Sequence, residues 1–196
     1  KILSSKEALD IRIAARYFIE LLKGLKVLEE NRIIHSNIKP ANLFVHDDII
    51  KIGDSAFARF ATGLRSSIKR VFGTWEYMAP ERFTKNYGFS VDRWASAVLF
   101  FRLLTGKMPF EGEDDMQVYG AIMQETPEYS LVPAMFRPFM QHCFKKDSKD
   151  RHQSSEEMKS EFINAVKKFT ENHTRYSKEE PIPGSPFSGS YSRTFP

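Results

Sequence analysis

Residues 33–59 read IIHSNIKPANLFVHDDIIKIGDSAFAR, and most of the side chains that could do chemistry sit in this stretch. Leu43, Phe44 and Val45 form one short apolar run and Ile49 to Ile52 a second, with His46, Asp47 and Asp48 between them, which predicts a β-hairpin around an Asp-Asp turn. A polar elbow, His35, Ser36 and Asn37, precedes the hairpin, and Gly53, Asp54 and Ser55 follow it. The hairpin brings these two flanks to neighbouring ends, so an imidazole, amides, the Lys39 ammonium and the Asp54 carboxylate converge. An amide such as that of Asn37 accepts a hydrogen bond and orients a hydroxyl, but it lacks the charge and proton affinity of a general base. The same pattern also fits an ordinary surface hairpin with scattered polar residues. His46 with Asp47 and Asp48 is a thin set for a metal.

The elements that position this stretch follow from periodicity. Ser4 with Glu7 three residues on is a capping signal, and Ala8, Ile11, Ala14, Ala15, Phe18, Leu22, Leu25 and Leu28 mark one helical face running to about Glu30. Residues 87–110, YGFSVDRWASAVLFFRLLTGKMPF, are apolar nearly all round, as in a helix buried mid-domain, with Ser90 as the expected N-cap and Gly106 as the stop before Pro109. A short helix with an acidic first turn is expected from Glu113 to Met123, and another from near Pro133 to Phe144, with Cys143 as a core residue of its apolar stripe. Ser154 or Ser155 caps a last helix carrying Met158, Phe162, Ile163, Val166 and Phe169. Residues 60–74 read as an exposed loop. Periodicity stops at Glu171, which divides the chain into a domain, 1–170, and a flexible or extended tail, 171–196, rich in Ser, Pro and Gly.

The composition narrows the function. A length of 196 residues suits one domain and a tail, and a formal charge of +4 spread over both signs implies neither nucleic acid nor an anionic membrane as partner. A single cysteine allows no internal disulfide, and no apolar run approaches a bilayer span. An intracellular protein, cytoplasmic or nuclear, is the expectation.

HSNIKPAN followed by Asp54 resembles the catalytic loop and magnesium loop of eukaryotic-type serine/threonine protein kinases, HRDLKPEN and DFG. Two further segments match in order: GTWEYMAPE, similar to the kinase peptide-positioning segment, and DRWASAVLFFRLLTGKMPF, similar to the central helix. The resemblance implies that Asn37 stands at the catalytic Asp position with Lys39 beside it, and that Asn42 and Asp54 would hold Mg²⁺ where nucleotide binds. It gives His35, Glu81, Asp92 and Arg151 structural roles: Asp92 would accept amide hydrogens from the elbow, and Arg151 would pair with Glu81. Thr62, Ser66, Ser67 and Thr74 become activation-loop phosphosites. Ser36 replaces the loop Arg that would receive such a phosphate, Ser55 and Ala56 replace Phe-Gly, and Arg102 replaces a Glu.

The chain opens with Lys1, Ile2 and Leu3 directly before a helix, and no GxGxxG occurs among its ten glycines. The expected fold is therefore mainly α with short β-hairpins, a kinase-like C-terminal lobe from which the β-rich N-terminal lobe is absent. The expected function is a catalytically impaired, pseudokinase-like scaffold or allosteric module. Its partner would be a protein, such as an active kinase or a substrate, with no nucleic acid and no membrane. No cofactor is expected for the isolated lobe, with ATP and Mg²⁺ entering only if the complete domain retains nucleotide binding. The alternative is a divergent active serine/threonine kinase, transferring the ATP γ-phosphate to protein, with its small lobe missing from this chain.

Overall fold

Helix α1 (Ile11–Glu30) begins at Asp10, whose carboxylate accepts the Arg12 amide hydrogen at 2.9 Å and so satisfies one of the donors left open at a helix start. This is later than the Ser4 signal predicts. Leu3 is buried, and the Leu9 amide donates to the Leu103 carbonyl at 2.8 Å, which draws the preceding segment along another helix. The computed structural model describes residue 3, residues 7–54, 59–60, 74–83 and 87–176, of which 59–60 and 168–176 are described as backbone alone. Ser4, Ser55, Ala56, Thr62, Ser66, Ser67 and the tail from 177 onward lie outside the described residues.

After α1 come β1 (Ile33–Ile34), β2 (Leu43–His46), β3 (Ile49–Ile52) and β4 (Arg59–Phe60). β2 and β3 pair antiparallel in the register Leu43 to Ile52, and β1 pairs antiparallel with β4. Asp47 and Asp48 have φ of 50° and 60°, so the hairpin turns through two left-handed residues, the arrangement that matches strand twist. Ile50 is buried and Ile52 reaches α1 beside Gly24, while Arg16 on α1 pairs with Asp48 at 2.9 Å. The β region at 33–52 is thus docked beside the helical body as a part of the domain. The expectation of a helical lobe with the β-rich lobe absent is corrected accordingly: the strands at 33–52 belong to the domain, with Ile50 buried and Ile52 against α1.

Helix α2 (Ser90–Thr105) is the centre, buried from Val91 to Phe101 and again at Leu103 and Leu104. It stops at Gly106, whose φ of 72° is the left-handed conformation that glycine adopts without cost. Ser90 is not its cap: the helix is preceded by Phe89, and the Ser90 hydroxyl donates elsewhere, to Glu81. Around α2 stand α3 (Asp115–Gln124), capped by Asp114, α4 (Arg137–Cys143) and α5 (Ser155–Tyr176). Helix α5 continues six residues past the expected boundary at 170. Phe18 of α1 stacks on Phe100 of α2 at 4.4 Å and meets Phe139 of α4 and Phe162 of α5 edge-on at 5.8 and 4.9 Å. One aromatic knot therefore joins four helices, and truncating Phe18 to Ala would cost about 3–5 kcal/mol. Cys143 is buried in the core, where burial raises its thiol pKa.

Candidate active site

The elbow is held by an anion at the start of α2. Asp92 accepts the His35 amide hydrogen on Oδ2 and the Ser36 amide hydrogen on Oδ1, both at 2.7 Å. Ser36 needs such an anchor because its φ of 60° puts a side-chain-bearing residue in the left-handed region, a cost of roughly 1–2 kcal/mol. Burial pushes the Asp92 carboxyl up to about 7, against the downward pull of those two amides and of Arg93.

The His35 ring fastens the elbow to the far end of the hairpin. Its Nε2 donates to the Gly53 carbonyl at 3.0 Å, while Nδ1 accepts the Asn37 amide hydrogen at 3.3 Å. One partner is an acceptor and the other a donor, so together they select the neutral tautomer with its proton on Nε2. Burial likewise lowers the His35 pKa, partly offset by the Gly53 carbonyl and Asp54. Asn42, buried in the turn Pro40–Asn42, donates from Nδ2 to the Asn37 carbonyl and accepts the Gly53 amide hydrogen on its own carbonyl, each at 2.8 Å. Asp54 follows, exposed and with φ of 55°. The sequence-predicted residues His35, Asn37, Asn42 and Asp54 are therefore gathered at one end of the β2–β3 hairpin.

On the other side of the elbow, the Lys39 Nζ donates to the Thr74 hydroxyl at 3.2 Å. Asn37, Lys39 and Thr74, with Tyr77 and Arg82, line a cleft of about 20 Å³, room for one water-sized group such as a hydroxyl. Arg102 near the end of α2 donates to the Tyr77 hydroxyl at 2.8 Å.

Glu81 and Arg151 stand behind the cleft. Arg151 donates from Nη1 and Nη2 to the two oxygens of Glu81 at 3.0 and 2.6 Å, and the Ser90 hydroxyl adds a third bond at 2.6 Å. Two further guanidinium donors go to the carbonyls of Lys145 and Lys146, and the group lies 4.9 Å from the Trp94 ring centre. The Arg151 and Glu81 side chains are 4% and 15% exposed, so each charge depends on the other.

Sequence reasoning missed a further, partly buried anion. Glu29, at the end of α1, pairs with Arg93 on α2 and accepts both the amide and hydroxyl hydrogens of Ser155 at the start of α5, at 2.9 and 2.8 Å. A charged Arg93 in a helix buried nearly all round was the available signal, since such a residue needs a partner.

A model of the protein kinase domain family matches residues 1–163. The chain belongs to the protein kinase family. Among similar kinases, the serine/threonine-protein kinase ATG1a of Arabidopsis thaliana is 35% identical over 119 residues, 58% of this chain and 19% of that protein. The serine/threonine-protein kinase polo of Drosophila melanogaster is 37% identical over 125 residues, 61% of this chain and 22% of that protein. The mitogen-activated protein kinase kinase kinase 15 of Mus musculus is 28% identical over 177 residues, 85% of this chain and 13% of that protein. The chain thus spans about a fifth or less of the length of these kinases. Because the match to the kinase domain runs through residues 1–163 and includes the β region at 33–52, the designation of the chain as a C-terminal lobe only is withdrawn. The pseudokinase-like scaffold reading gives way as well, since these relatives are themselves named as kinases and the match favours the alternative of a divergent kinase. Among the described residues no helix is long and apolar enough to cross a membrane.

Proposed function

We propose that this protein transfers the γ-phosphate of ATP to serine or threonine hydroxyls of protein substrates, at a rate lowered by the amide at position 37. The observation that carries the reading is the cleft in which Asn37 and the Lys39–Thr74 pair face one water-sized space. The donors for Mg²⁺ are compatible with that ion: Asn42 spends its Nδ2 on the Asn37 carbonyl, which leaves Oδ1 for a hard cation, and Asp54 adds an exposed carboxylate. Mg·ATP, when bound, supplies the phosphoryl group and neutralises its charge. Lys39 brings a fixed positive charge to the cleft, held in place by Thr74. The Asn37 side chain accepts a hydrogen bond from the substrate hydroxyl and orients it but takes no proton from it; as the O–P bond forms, ADP would leave and the hydroxyl proton would pass to a phosphoryl oxygen. Loss of that base role lowers the rate by roughly 10² to 10⁴.

The test is Mg·ATP-dependent phosphate incorporation into mixed Ser/Thr-containing proteins by the full-length protein that carries this chain. Slow incorporation is expected, rising strongly with Asn37→Asp and vanishing with Asp54→Ala. No incorporation even with Asn37→Asp, or incorporation indifferent to Asp54→Ala, would overturn the reading.

A further inference from the structure

Outside the cleft, three metal-ligating side chains converge from separate elements. His142 on α4, His152 immediately after Arg151, and Glu161 on α5 place ring nitrogens and a carboxylate oxygen all within 4.8 Å of one another. Glu161 Oε2 lies 2.8 Å from His142 Nδ1 and 3.1 Å from His152 Nε2, and the two imidazole centres are 4.0 Å apart. We propose that His142, His152 and Glu161 form a binding site for a divalent transition metal of the zinc class.

The geometry carries this beyond a shared hydrogen bond. With metal–ligand bonds of about 2.0–2.1 Å, adjacent donors of a tetrahedral site stand roughly 3.3 Å apart. The two nitrogen–oxygen separations, 2.8 and 3.1 Å, fall just short of that and all three donors lie within 4.8 Å of one another, so an ion enters by a small adjustment of the side chains. Each imidazole binds as a neutral ligand by carrying its proton on the other ring nitrogen, so no redox step or co-reactant is involved.

The site is also preorganised and reachable. His152 is 2% exposed and its ring lies 5.4 Å from that of Phe139, which fixes one ligand. His142 and Glu161 are 33% and 39% exposed, leaving an open side by which the ion arrives and a water completes the fourth position. Two nitrogens and one oxygen suit Zn²⁺ or Co²⁺, whereas Mg²⁺ and Ca²⁺ prefer all-oxygen sets. The site is thus distinct in chemistry from the oxygen donors Asn42 and Asp54. A bound ion would cross-link α4, the turn carrying Arg151, and α5.

The probe is Zn²⁺ alone, titrated calorimetrically into the full chain, with Co²⁺ absorption as the reporter of geometry. One ion per chain is expected, with an intense visible Co²⁺ spectrum typical of four-coordination and a rise in melting temperature on adding Zn²⁺. His142→Ala and Glu161→Gln change partly exposed side chains, and their metal-free melting curves verify folding. Each should weaken Zn²⁺ binding by more than about tenfold, while His46→Ala, at the exposed hairpin tip, should leave it unchanged. Absence of stoichiometric binding, full binding in both ligand variants, or a weak six-coordinate Co²⁺ spectrum would overturn the proposal.

Discussion

Lys39 and Thr74 share a hydrogen bond across the cleft, Nζ to Oγ1 at 3.2 Å, although 35 residues separate them. The bond holds a flexible four-carbon ammonium in one place, and it joins the elbow to the segment that forms the opposite wall. Thr74→Val keeps the shape and removes the acceptor. It should lower the Mg·ATP-dependent transfer rate about ten- to a hundredfold, the worth of a hydrogen bond to a charged group, with little change in melting temperature. An unchanged rate would show that Lys39 needs no such support.

Arg151→Ala takes from the partly buried Glu81 carboxylate the two guanidinium bonds at 3.0 and 2.6 Å. A destabilisation of about 3–5 kcal/mol is expected in urea unfolding. Replacing both charges together, Glu81→Leu with Arg151→Met, should recover much of it, because the stranded charge and not the lost attraction dominates. Equal losses in the single and double variants would refute that account.

The Glu29 cluster makes a separate prediction. Arg93 has its Nε without a hydrogen-bond partner among the described residues, so Glu29 is the anion that compensates this buried cation. Glu29→Ala should destabilise by about 3–5 kcal/mol. A double-mutant cycle with Ser155→Ala should give a coupling of roughly 0.5–3 kcal/mol, as for residues of one network. Additive losses would mean that Ser155 and Glu29 do not act together.

His35 predicts a pH dependence. Its folded pKa lies below the ordinary 6.5, so as pH falls below that value the unfolded chain gains a proton that the folded chain resists. The stability contributed by the neutral ring is therefore present above about pH 6.5 and lost as pH falls through the folded pKa. Asp92 works the other way: its carboxyl is raised from 3.8 to about 7, so its contribution declines as pH climbs between those values. Comparing the chain with His35→Gln isolates the histidine. The stability difference between them should grow from pH 5 upward and level off near neutrality, whereas parallel curves would rule out the assignment.

Much of the scaffold is legible in the sequence because burial leaves a periodic trace. Apolar residues all round α2 foretell a central helix, and Gly106 marks its end. The kinase resemblance, and not local periodicity, is what points to Asp92 as partner of the elbow and to Arg151 as partner of Glu81, and both pairs lie within hydrogen-bond distance. The start of α1 is harder to read. Ser4 with Glu7 is the cap signal read from the sequence, whereas α1 starts at Asp10, beside the contact of Leu9 with Leu103. Ser90 misleads for a similar reason, since a hydroxyl suited to capping serves the buried Glu81 instead. The assembly of Glu29, Arg93 and Ser155 spans three helices, and local periodicity carries no record of that. The β hairpin within 33–52 is visible as two short apolar runs, whereas the expectation of a helical lobe alone rests on the opening residues and the absence of GxGxxG, and the family match over residues 1–163 corrects it.

Asp92 and Arg102 lie ten residues apart on α2, about 15 Å along its axis. Through Asp92 the helix carries the elbow, and through Arg102 it carries Tyr77 of the opposite wall. Both jaws of the cleft are bolted to one rigid rod, so their spacing is a fixed gauge. A thermal tilt of α2 carries the two jaws together and leaves the aperture between them unchanged.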